Sequence, residues 1–257
     1  MPRSKTNTGF LFFLEKVVRS HPLLYFIIRN LIRYTKIFEE DANGVSFLNL
    51  PKKVSIIDVG ASDGIASQFF NRKLNIKKII CFEPYKPYIK ILKKLKIKNL
   101  IIKGYGIDQF DKYYDIYFPR YKLFSKNFDL ITYTYYDKKK LSEQINLDFK
   151  FKNSISIVKE KIYLKRAKGI NTKIDLIKID VNGHEFSVVK GLNKIIKRDK
   201  PALIIETGDD IKIIEKFLKK YGFDKYSFSN ENSEFKKIKK NYPLNTYFLQ
   251  KNHLKLQ

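Results

Sequence analysis

The sequence predicts an α/β protein, with a mostly parallel sheet covered by helices on both faces and an N-terminal helical appendage. Three observations lead to this fold class. From residue 51 onward, short and nearly continuous apolar runs alternate with segments of helical periodicity, which is the pattern of βαβ units. The tail has two short apolar runs with no helix between them, which indicates a closing antiparallel pair of strands. Before residue 51, apolar residues recur at helical spacing.

Size and composition set the limits of this prediction. The chain has 257 residues, which suits one full domain with an appendage. We therefore expect an N-terminal helical region at 1–50 and a main domain at 51–257, with an insertion at 104–170. A hydrophobic content of 44% excludes a disordered chain. One cysteine and three scattered histidines exclude a disulfide framework and argue against a multi-thiolate or histidine-rich metal site, so no metal is predicted.

The chain is strongly basic, with 52 Lys and Arg against 26 Asp and Glu and a net charge of +26. Such a charge attracts polyanions. However, the excess is mostly lysine and is spread along the chain together with abundant Ile, Asn, Tyr and Phe, which is typical of coding in an A/T-rich genome. No nucleic-acid-binding motif accompanies it. We expect no specific nucleic-acid partner, and peripheral contact with an anionic membrane stays open.

The region 9–38 reads as helical, with a break at residues 20–22. Two interpretations are open: a helical hairpin that caps the main core, which we favour, or a pair of interfacial membrane helices. Glu15 interrupts the first apolar run and no small-residue cleavage site follows, so a signal peptide is not expected. No apolar run is long enough to span a bilayer. The predicted location is cytoplasmic, with membrane-peripheral association left open.

The elements of the main domain follow in order. Core strands are predicted at 54–59, 78–82, 99–102, 175–179 and 202–205, helices at 65–73, 86–96, 184–197 and 209–221, and tail strands at 225–228 and 246–249. The insertion reads as strands at 113–118 and 129–136 in a hairpin, a helix at 138–147 and a strand at 155–164. An insertion at this point is expected to form a lid over the carboxyl edge of the sheet, where ligands bind.

The strongest motif is the segment IIDVGASDG at 56–64, in which a buried strand ends in a glycine turn that opens a helix. Gly60 suits dihedral angles closed to other residues, and Gly64 would leave room for a ligand. The helix N-terminus offers N–H groups to an anion such as a carboxylate. The spacing Gly-x-x-x-Gly argues against a nicotinamide dinucleotide site, and the lysine of a phosphate-binding loop is missing.

Acidic residues end three further strands. Glu83, 23 positions after Gly60, is placed to accept both hydroxyls of a ribose. Asp180 ends another buried strand and is followed by a glycine turn, His184 and Glu185. Glu206 is a further acid at the same edge. The topological switch point of the sheet should bring Asp58 and Asp180 near one crevice.

Together, the segments IIDVGASDG, CFEP, DLIKIDVNGHE, VVKGL and KPALIIE resemble the FkbM-type methyltransferases, which use S-adenosylmethionine. The resemblance runs in order over about 54–206 and implies the seven-stranded Rossmann-like fold with an antiparallel final strand. It implies that a first group of residues surrounds the methionine half of the cofactor, namely Asp58, Gly60, Ala61, Asp63 and Gly64. It also implies that Glu83 holds the ribose and that Asp108 lies towards the adenine. Asp180, His184 and Glu185 would face the methyl-transfer centre, with Asp180 also bordering the cofactor.

The family often methylates hydroxyls of sugars or glycosylated natural products, which implies O-methylation of a glycan, a glycan precursor or a small glycosylated acceptor. His184 would then be the general base, oriented by Asp180 or Glu185, or Asp180 would be the base itself. Two departures affect catalysis more than cofactor binding. Asn182 stands where the family usually has Glu, and the Leu-Asp pair expected before the fourth strand is absent, with Leu164-Lys165 the nearest candidate.

Aromatic residues of the insertion suit either stacking on sugar faces or ordinary core packing. They are Tyr113, Tyr114, Tyr117, Phe118, Tyr133, Tyr135 and Tyr136.

Other functions stay open beside this one. A degenerate methyltransferase fold that only binds glycan or membrane is favoured by Asn182 and opposed by the intact Asp58, Gly60 and Glu83. An RNA methyltransferase is favoured only by the charge, and the Asn/Asp-Pro-Pro-aromatic element of amino-directed enzymes is missing. A nicotinamide-dependent enzyme fits least, because of the glycine spacing. The sequence does not predict the acceptor or the oligomeric state.

Overall fold

The structure is a computed structural model that describes residues 39–123, 125–149 and 154–255, together with Leu24 and Ile27. The predictions for residues 9–38, a helical hairpin or interfacial helices, lie outside the described residues apart from those two positions. The described chain forms two compact units, one of residues 39–113 and 163–255 and the other of residues 114–162.

The first unit contains an eight-stranded sheet with the order β11-β10-β12-β9-β8-β1-β2-β3. Its strands are β1 (Val54–Val59), β2 (Ile76–Phe82), β3 (Leu100–Lys103), β8 (Leu176–Ile179), β9 (Ala202–Glu206), β10 (Asp224–Ser229), β11 (Glu234–Lys237) and β12 (Asn245–Leu249). The strands from β9 to β3 are parallel, and β12 is antiparallel to both β9 and β10. This confirms the predicted Rossmann-like fold class. The strand missed from the sequence is β11, which adds an eighth strand at the edge.

Helices cover both faces of this sheet. They are α1 (Ile65–Lys73), α2 (Lys86–Leu92), α4 (Glu185–Gly191), α5 (Asn193–Asp199) and α6 (Ile211–Lys219). The helix predicted at 184–197 is divided at Leu192, and the one predicted at 86–96 ends at Leu92. Separate apolar cores lie on the two faces, as expected for strands buried on both sides. No helix in the described part of the chain is long and apolar enough to cross a membrane.

The chain from residue 39 to residue 48 packs into the main sheet. Glu40–Phe47 is a 3₁₀ helix whose Ala42 and Val45 are buried in the same core as α1 and α2. Asp41 accepts hydrogen bonds from the backbone and the side chain of Asn245, at the start of β12. The structure therefore places this stretch within the main domain, although the sequence suggested a boundary at residue 50.

The second unit contains most of β5 (Lys112–Leu123) and of β7 (Ile155–Lys165), together with β6 (Lys126–Asp129) and α3 (Lys138–Asp148). β5 and β6 form an antiparallel hairpin, and the short strand β4 (Gly106–Ile107) pairs in parallel with the end of β7. The second strand of the hairpin was predicted at 129–136, but β6 precedes that range and Ile131–Tyr133 is a 3₁₀ turn. Among the aromatic residues weighed for sugar stacking, Phe118 and Tyr133 are buried and Tyr113 is exposed.

Candidate functional site

The turn between β1 and α1 depends on glycine for reasons that the structure makes explicit. Gly60 has φ of +76°, and a Cβ there would lie 1.9 Å from the carbonyl oxygen of Asp180. The ends of β1 and β8 are therefore too close for any other residue. Gly64 has φ of +81°, and its missing Cβ would meet Leu95 Cδ1 at 2.3 Å. The need for Gly64 is thus the packing of α1 against Leu92 and Leu95, not the ligand room that the sequence suggested.

Asp58 lies fully buried beneath this turn. Its Oδ2 accepts a 2.6 Å hydrogen bond from Ser67 Oγ of α1, and Ser67 Oγ lies 3.1 Å from Cys81 Sγ of β2. Its Oδ1 is buried without a hydrogen-bond partner among the described residues. Burial raises the pKa of Asp58, while the charge of Lys178 and the bond from Ser67 oppose the rise. Asp58 Oδ1 can therefore still accept a hydrogen bond.

Glu83 connects the turns that follow β1 and β2. Its Oε2 accepts the Ser62 N–H at 2.9 Å and its Oε1 accepts the Tyr85 N–H at 2.8 Å. Burial raises the pKa of Glu83 to about 7, against the lowering by these two bonds. A carboxylate has about four acceptor positions, so both oxygens keep capacity for hydroxyl donors. Ala61 and Asp63 are buried in the same turn.

Lys178 is a buried cation that the sequence analysis missed. Its side chain is 4% exposed and its Nζ donates to Asp180 Oδ2 at 2.7 Å. It is aligned with Asp58 of β1 in the parallel register. Burial alone would lower the pKa of Lys178, but the charges of Asp180, Asp58 and Glu39 raise it well above the ordinary value. It is the one charged residue in β8 and stands two positions before Asp180, a spacing that puts both on one face and that the sequence already contained.

Asp180 and Glu206 form an acidic pair at the ends of β8 and β9. The pKa of Glu206 rises to about 10 because of burial, the charge and hydrogen bond of Asp180, and the charge of Glu185. Glu206 therefore holds a proton at neutral pH, while Lys178 stabilises the charge of Asp180. Asp58 and Asp180, the two acids expected near one crevice, both interact with Lys178, while Glu83 belongs to the neighbouring turn.

Glu185 stabilises the turn in which it lies, and its hydrogen bonds among the described residues go to backbone N–H groups and not to His184. Its Oε1 accepts N–H groups from Gly183 at 2.9 Å and Val181 at 3.3 Å. Its Oε2 is buried and lacks a partner among the described residues. Burial raises the pKa of Glu185.

The departure at Asn182 has a conformational reason. Asn182 has φ of +53°, in the left-handed region that Asn enters more easily than most residues with a Cβ. Glu at this position would adopt the same backbone conformation at a higher conformational energy than Asn does. The missing carboxylate thus accompanies a better fit of the turn.

His184 pairs with Asp108, which lies 76 positions earlier in the chain. His184 Nε2 is 2.6 Å from Asp108 Oδ2, and the same oxygen is 3.0 Å from Lys112 Nζ. Asp108 Oδ1 accepts the Phe110 N–H at 2.9 Å. Burial would raise the pKa of Asp108, but the bonds from Phe110, Lys112 and His184 hold it below its ordinary value. Burial lowers the pKa of His184, which the bond and charge of Asp108 oppose.

This pairing changes one expectation. The sequence suggested Asp180 or Glu185 as the residue that orients His184, and the structure shows a bond to Asp108 instead. The position of Asp108 near the adenine, which the family resemblance implies, stays a prediction. Because a carboxylate with a lowered pKa is an acceptor at neutral pH, His184 donates its Nε2–H and keeps a lone pair on Nδ1.

The chain is similar to a known protein family and to several solved structures. Residues 58–225 match the Methyltransferase FkbM domain. No curated protein matches the chain. Among solved structures, a methyltransferase FkbM from Methylobacillus flagellatus KT is 15% identical with a TM-score of 0.47, over 79% of this chain and 47% of that one. This chain thus spans about half the length of that protein.

Two smaller solved proteins show a similar degree of likeness. A putative methyltransferase from Streptococcus mutans, SMU.1697c in complex with SAH, is 12% identical over 82% of this chain and 97% of its own, with a TM-score of 0.43. TrmK of M. capricolum in complex with S-adenosyl-homocysteine is 12% identical over 84% and 70%, with a TM-score of 0.40.

Proposed function

The chain belongs to the FkbM methyltransferase family, and from that premise we propose that it transfers the methyl group of S-adenosylmethionine to a hydroxyl of a sugar, a glycan or a glycosylated metabolite. The observation that carries the proposal is the buried pair of Asp108 and His184 in the unit that also holds the glycine turn. A hydroxyl is a poor nucleophile while it keeps its proton, so its methylation benefits from a neutral, oriented imidazole.

The residues present suit this cofactor. Asp58 Oδ1 and Glu185 Oε2 are buried acceptors without partners among the described residues, and burying such atoms costs free energy unless a donor or a proton reaches them. The cofactor has an ammonium group, a sulfonium charge and two ribose hydroxyls, which are the groups that carboxylates bind. We assign the methionine half to the turn that contains Asp58 and Gly60, and the ribose to Glu83. When bound, the cofactor supplies an electrophilic methyl group.

The protein's own part is to orient the acceptor and take its proton. Asp108 accepts the Nε2–H of His184 and fixes the ring, so that Nδ1 is the proton acceptor. Nδ1 would take the proton of the acceptor hydroxyl as that oxygen is methylated. His184 is then cationic, and the carboxylate of Asp108 stabilises that charge. Lys112 contacts the same oxygen of Asp108 as His184 does, and its charge favours the ionised carboxylate.

Cofactor binding is the first test, by isothermal titration of the purified protein with S-adenosylmethionine and S-adenosylhomocysteine. We expect binding to both, and at least about tenfold weaker binding by Glu83→Gln, because the variant loses a charged acceptor for the ribose. Glu215→Gln is the matched control, since Glu215 lies on α6 and bonds to Lys225. If the unchanged protein does not bind either compound at millimolar concentration, the non-catalytic binding module replaces this proposal.

The acceptor class needs a separate assay with radiolabelled cofactor. Soluble glycosides, glycolipid extracts and total RNA are offered in parallel. We expect label in a carbohydrate fraction that survives mild base, because methyl ethers resist hydrolysis and carboxyl methyl esters do not. Label that enters only RNA, or that mild base releases as methanol, would contradict O-methylation of a sugar hydroxyl.

A further inference from the structure

The positive charge of the chain is concentrated in one segment of the first unit. Between Asp63 and Asp108 the chain has a single acid, Glu83, which is buried in the site. The same segment has eleven basic residues, nine exposed and two half-buried. They are Arg72, Lys73, Lys77, Lys78, Lys86, Lys90, Lys93, Lys94, Lys96, Lys98 and Lys103. Lysine is spread along the whole chain, as the composition indicates, but acids are missing from this stretch, so its positive charge is not balanced locally.

The fold gathers most of these residues at one place. α1 and α2 pack on the same face of the sheet, since Phe69 and Leu92 share one core. Both helices connect parallel strands and so run back towards the amino ends of β2 and β3. Seven exposed basic residues therefore lie at that amino end, which we call the basic edge. It consists of Arg72, Lys73, Lys77, Lys93, Lys94, Lys96 and Lys98.

Within the described part of the chain, no ion pair compensates the charges of the basic edge. None of its seven residues forms an ion pair with an acid among the residues that the structure describes. The other side of the sheet, at β10 and β11, differs, because Lys225 pairs there with Glu215 and Lys237 pairs with Asp224. The basic edge therefore differs from the rest of the described surface, because its positive charges gather without paired acids.

We propose that the basic edge binds the surface of an anionic lipid bilayer through the lipid headgroups, without insertion. Lysine is a compact point charge, whereas the planar fork of arginine is typical of specific phosphate and base recognition, and this surface has only one arginine. None of the aromatic side chains of the segment that could stack on bases is exposed, since Phe69, Phe70, Phe82 and Tyr85 are buried and Tyr88 and Tyr105 are half-buried. Clusters of four to eight lysines bind anionic headgroups, and each strengthens binding about fivefold.

The placement has a geometric consequence that does not depend on the proposed methyl transfer. Asp58 and Glu83 lie at the carboxyl ends of β1 and β2, opposite the basic edge. A protein bound by this edge keeps its candidate site turned away from the bilayer. An acceptor would reach it from the aqueous side.

The test is sedimentation of the full chain with vesicles of phosphatidylcholine alone or mixed with phosphatidylserine. We expect binding only to the anionic vesicles, with release as salt is raised. The variant K93E/K94E/K96E/K98E should bind at least about a hundredfold more weakly. The matched control is K212E/K216E/K220E/K240E, which has the same net charge and alters exposed lysines elsewhere. It should stay within about fivefold of the unchanged protein, because those lysines lie outside the contact.

Two results would overturn the proposal. Equal losses in the two quadruple variants would mean that the total charge, not the basic edge, attracts the protein to lipid. Displacement from anionic vesicles by a short RNA duplex at equal phosphate concentration would mean that nucleic acid is the preferred polyanion. If the first variant unfolds, K96Q/K98Q gives the same test with an expected loss of about 25-fold or less.

Discussion

His184 and Asp108 show how a site residue acquires its role from the fold. They are 76 positions apart and share a 2.6 Å hydrogen bond. His184 was a candidate because it follows a predicted strand, and Asp108 was one because of the family resemblance, but the sequence offered Asp180 and Glu185 as nearer partners for the histidine. Only the packing of the strand ends determines which carboxylate reaches the ring. Proximity in sequence was a poor guide here, since Glu185 bonds to its own turn.

His184→Ala should lower kcat by about 10²- to 10⁴-fold and leave cofactor affinity unchanged, because the base is lost and the glycine turn is not.

In the unchanged enzyme, kcat should rise with pH through the His184 pKa, which burial holds below its ordinary value, and then level off. Asp108→Asn removes the carboxylate that raises this pKa, so the acid limb should move to lower pH. Steady-state rates over the pH range decide the matter, and an acid limb that stays in place would contradict the pairing.

Lys178→Met should destabilise the fold by about 3–5 kcal/mol, because Asp58 is left as a buried charge without its cation and the half-buried Asp180 loses its ion pair. The double variant Lys178→Met/Asp180→Asn should recover part of that loss. The loss should also shrink as pH falls, since protonation of Asp58, whose pKa burial raises, removes the uncompensated buried charge. Urea denaturation of the four proteins in the cycle measures the coupling, and simply additive losses would show that Lys178 does not hold Asp180.

At the scale of elements, the sequence predicts the strands that are buried on both faces. It misses an exposed strand and the points at which helices end or divide. β1 and the parallel strands beside it were located to within two residues, because burial on both faces produces continuous apolar runs. β11 was missed, because Glu234–Lys237 contains one apolar residue and half of it is exposed. The division of the helix at Leu192 and the end of α2 at Leu92 depend on tertiary packing, for which helical periodicity carries no signal.

The β1–α1 turn allows a matched test of steric fit. Gly60→Ala should lower stability by more than Gly169→Ala, and should weaken cofactor binding. Both glycines have positive φ, near +70°, so both variants bear the cost of about 1–2 kcal/mol for a left-handed Cβ. Only at Gly60 does the Cβ also collide with the carbonyl of Asp180, while nothing lies within 4 Å at Gly169. Similar losses in thermal unfolding would mean that the strand ends move apart easily.

For the whole molecule, the sequence gives the amount of charge and the fold gives its distribution. The net charge of +26 was read as an even background of lysine, yet acids and lysines pair at β10 and β11 and are separated at the basic edge. Composition has no information on this difference, because it depends on which helix ends meet. The fold class, by contrast, followed from the order of strands and helices alone.

A chain with this charge should be stabilised by moderate salt. Raising ionic strength from about 0.01 M to about 0.15 M shortens the Debye length from about 30 Å to about 8 Å, which screens repulsion within the compact state. We expect the unfolding temperature to rise over this range. The control is sucrose at the same osmolality, which does not screen charge. A falling unfolding temperature would indicate that paired charges outweigh the repulsion.

Ser67 and Cys81 give the region beneath Asp58 a chemical reporter. Cys81 is the chain's single cysteine, is fully buried, and has a pKa that burial raises far above the ordinary value. A thiol reagent therefore reacts with it only when α1 separates from β2. The rate of alkylation of the unmodified protein measures how often this part of the first unit opens. Any compound that holds the β1–α1 turn in place will show itself by slowing that rate, without a label or an engineered residue.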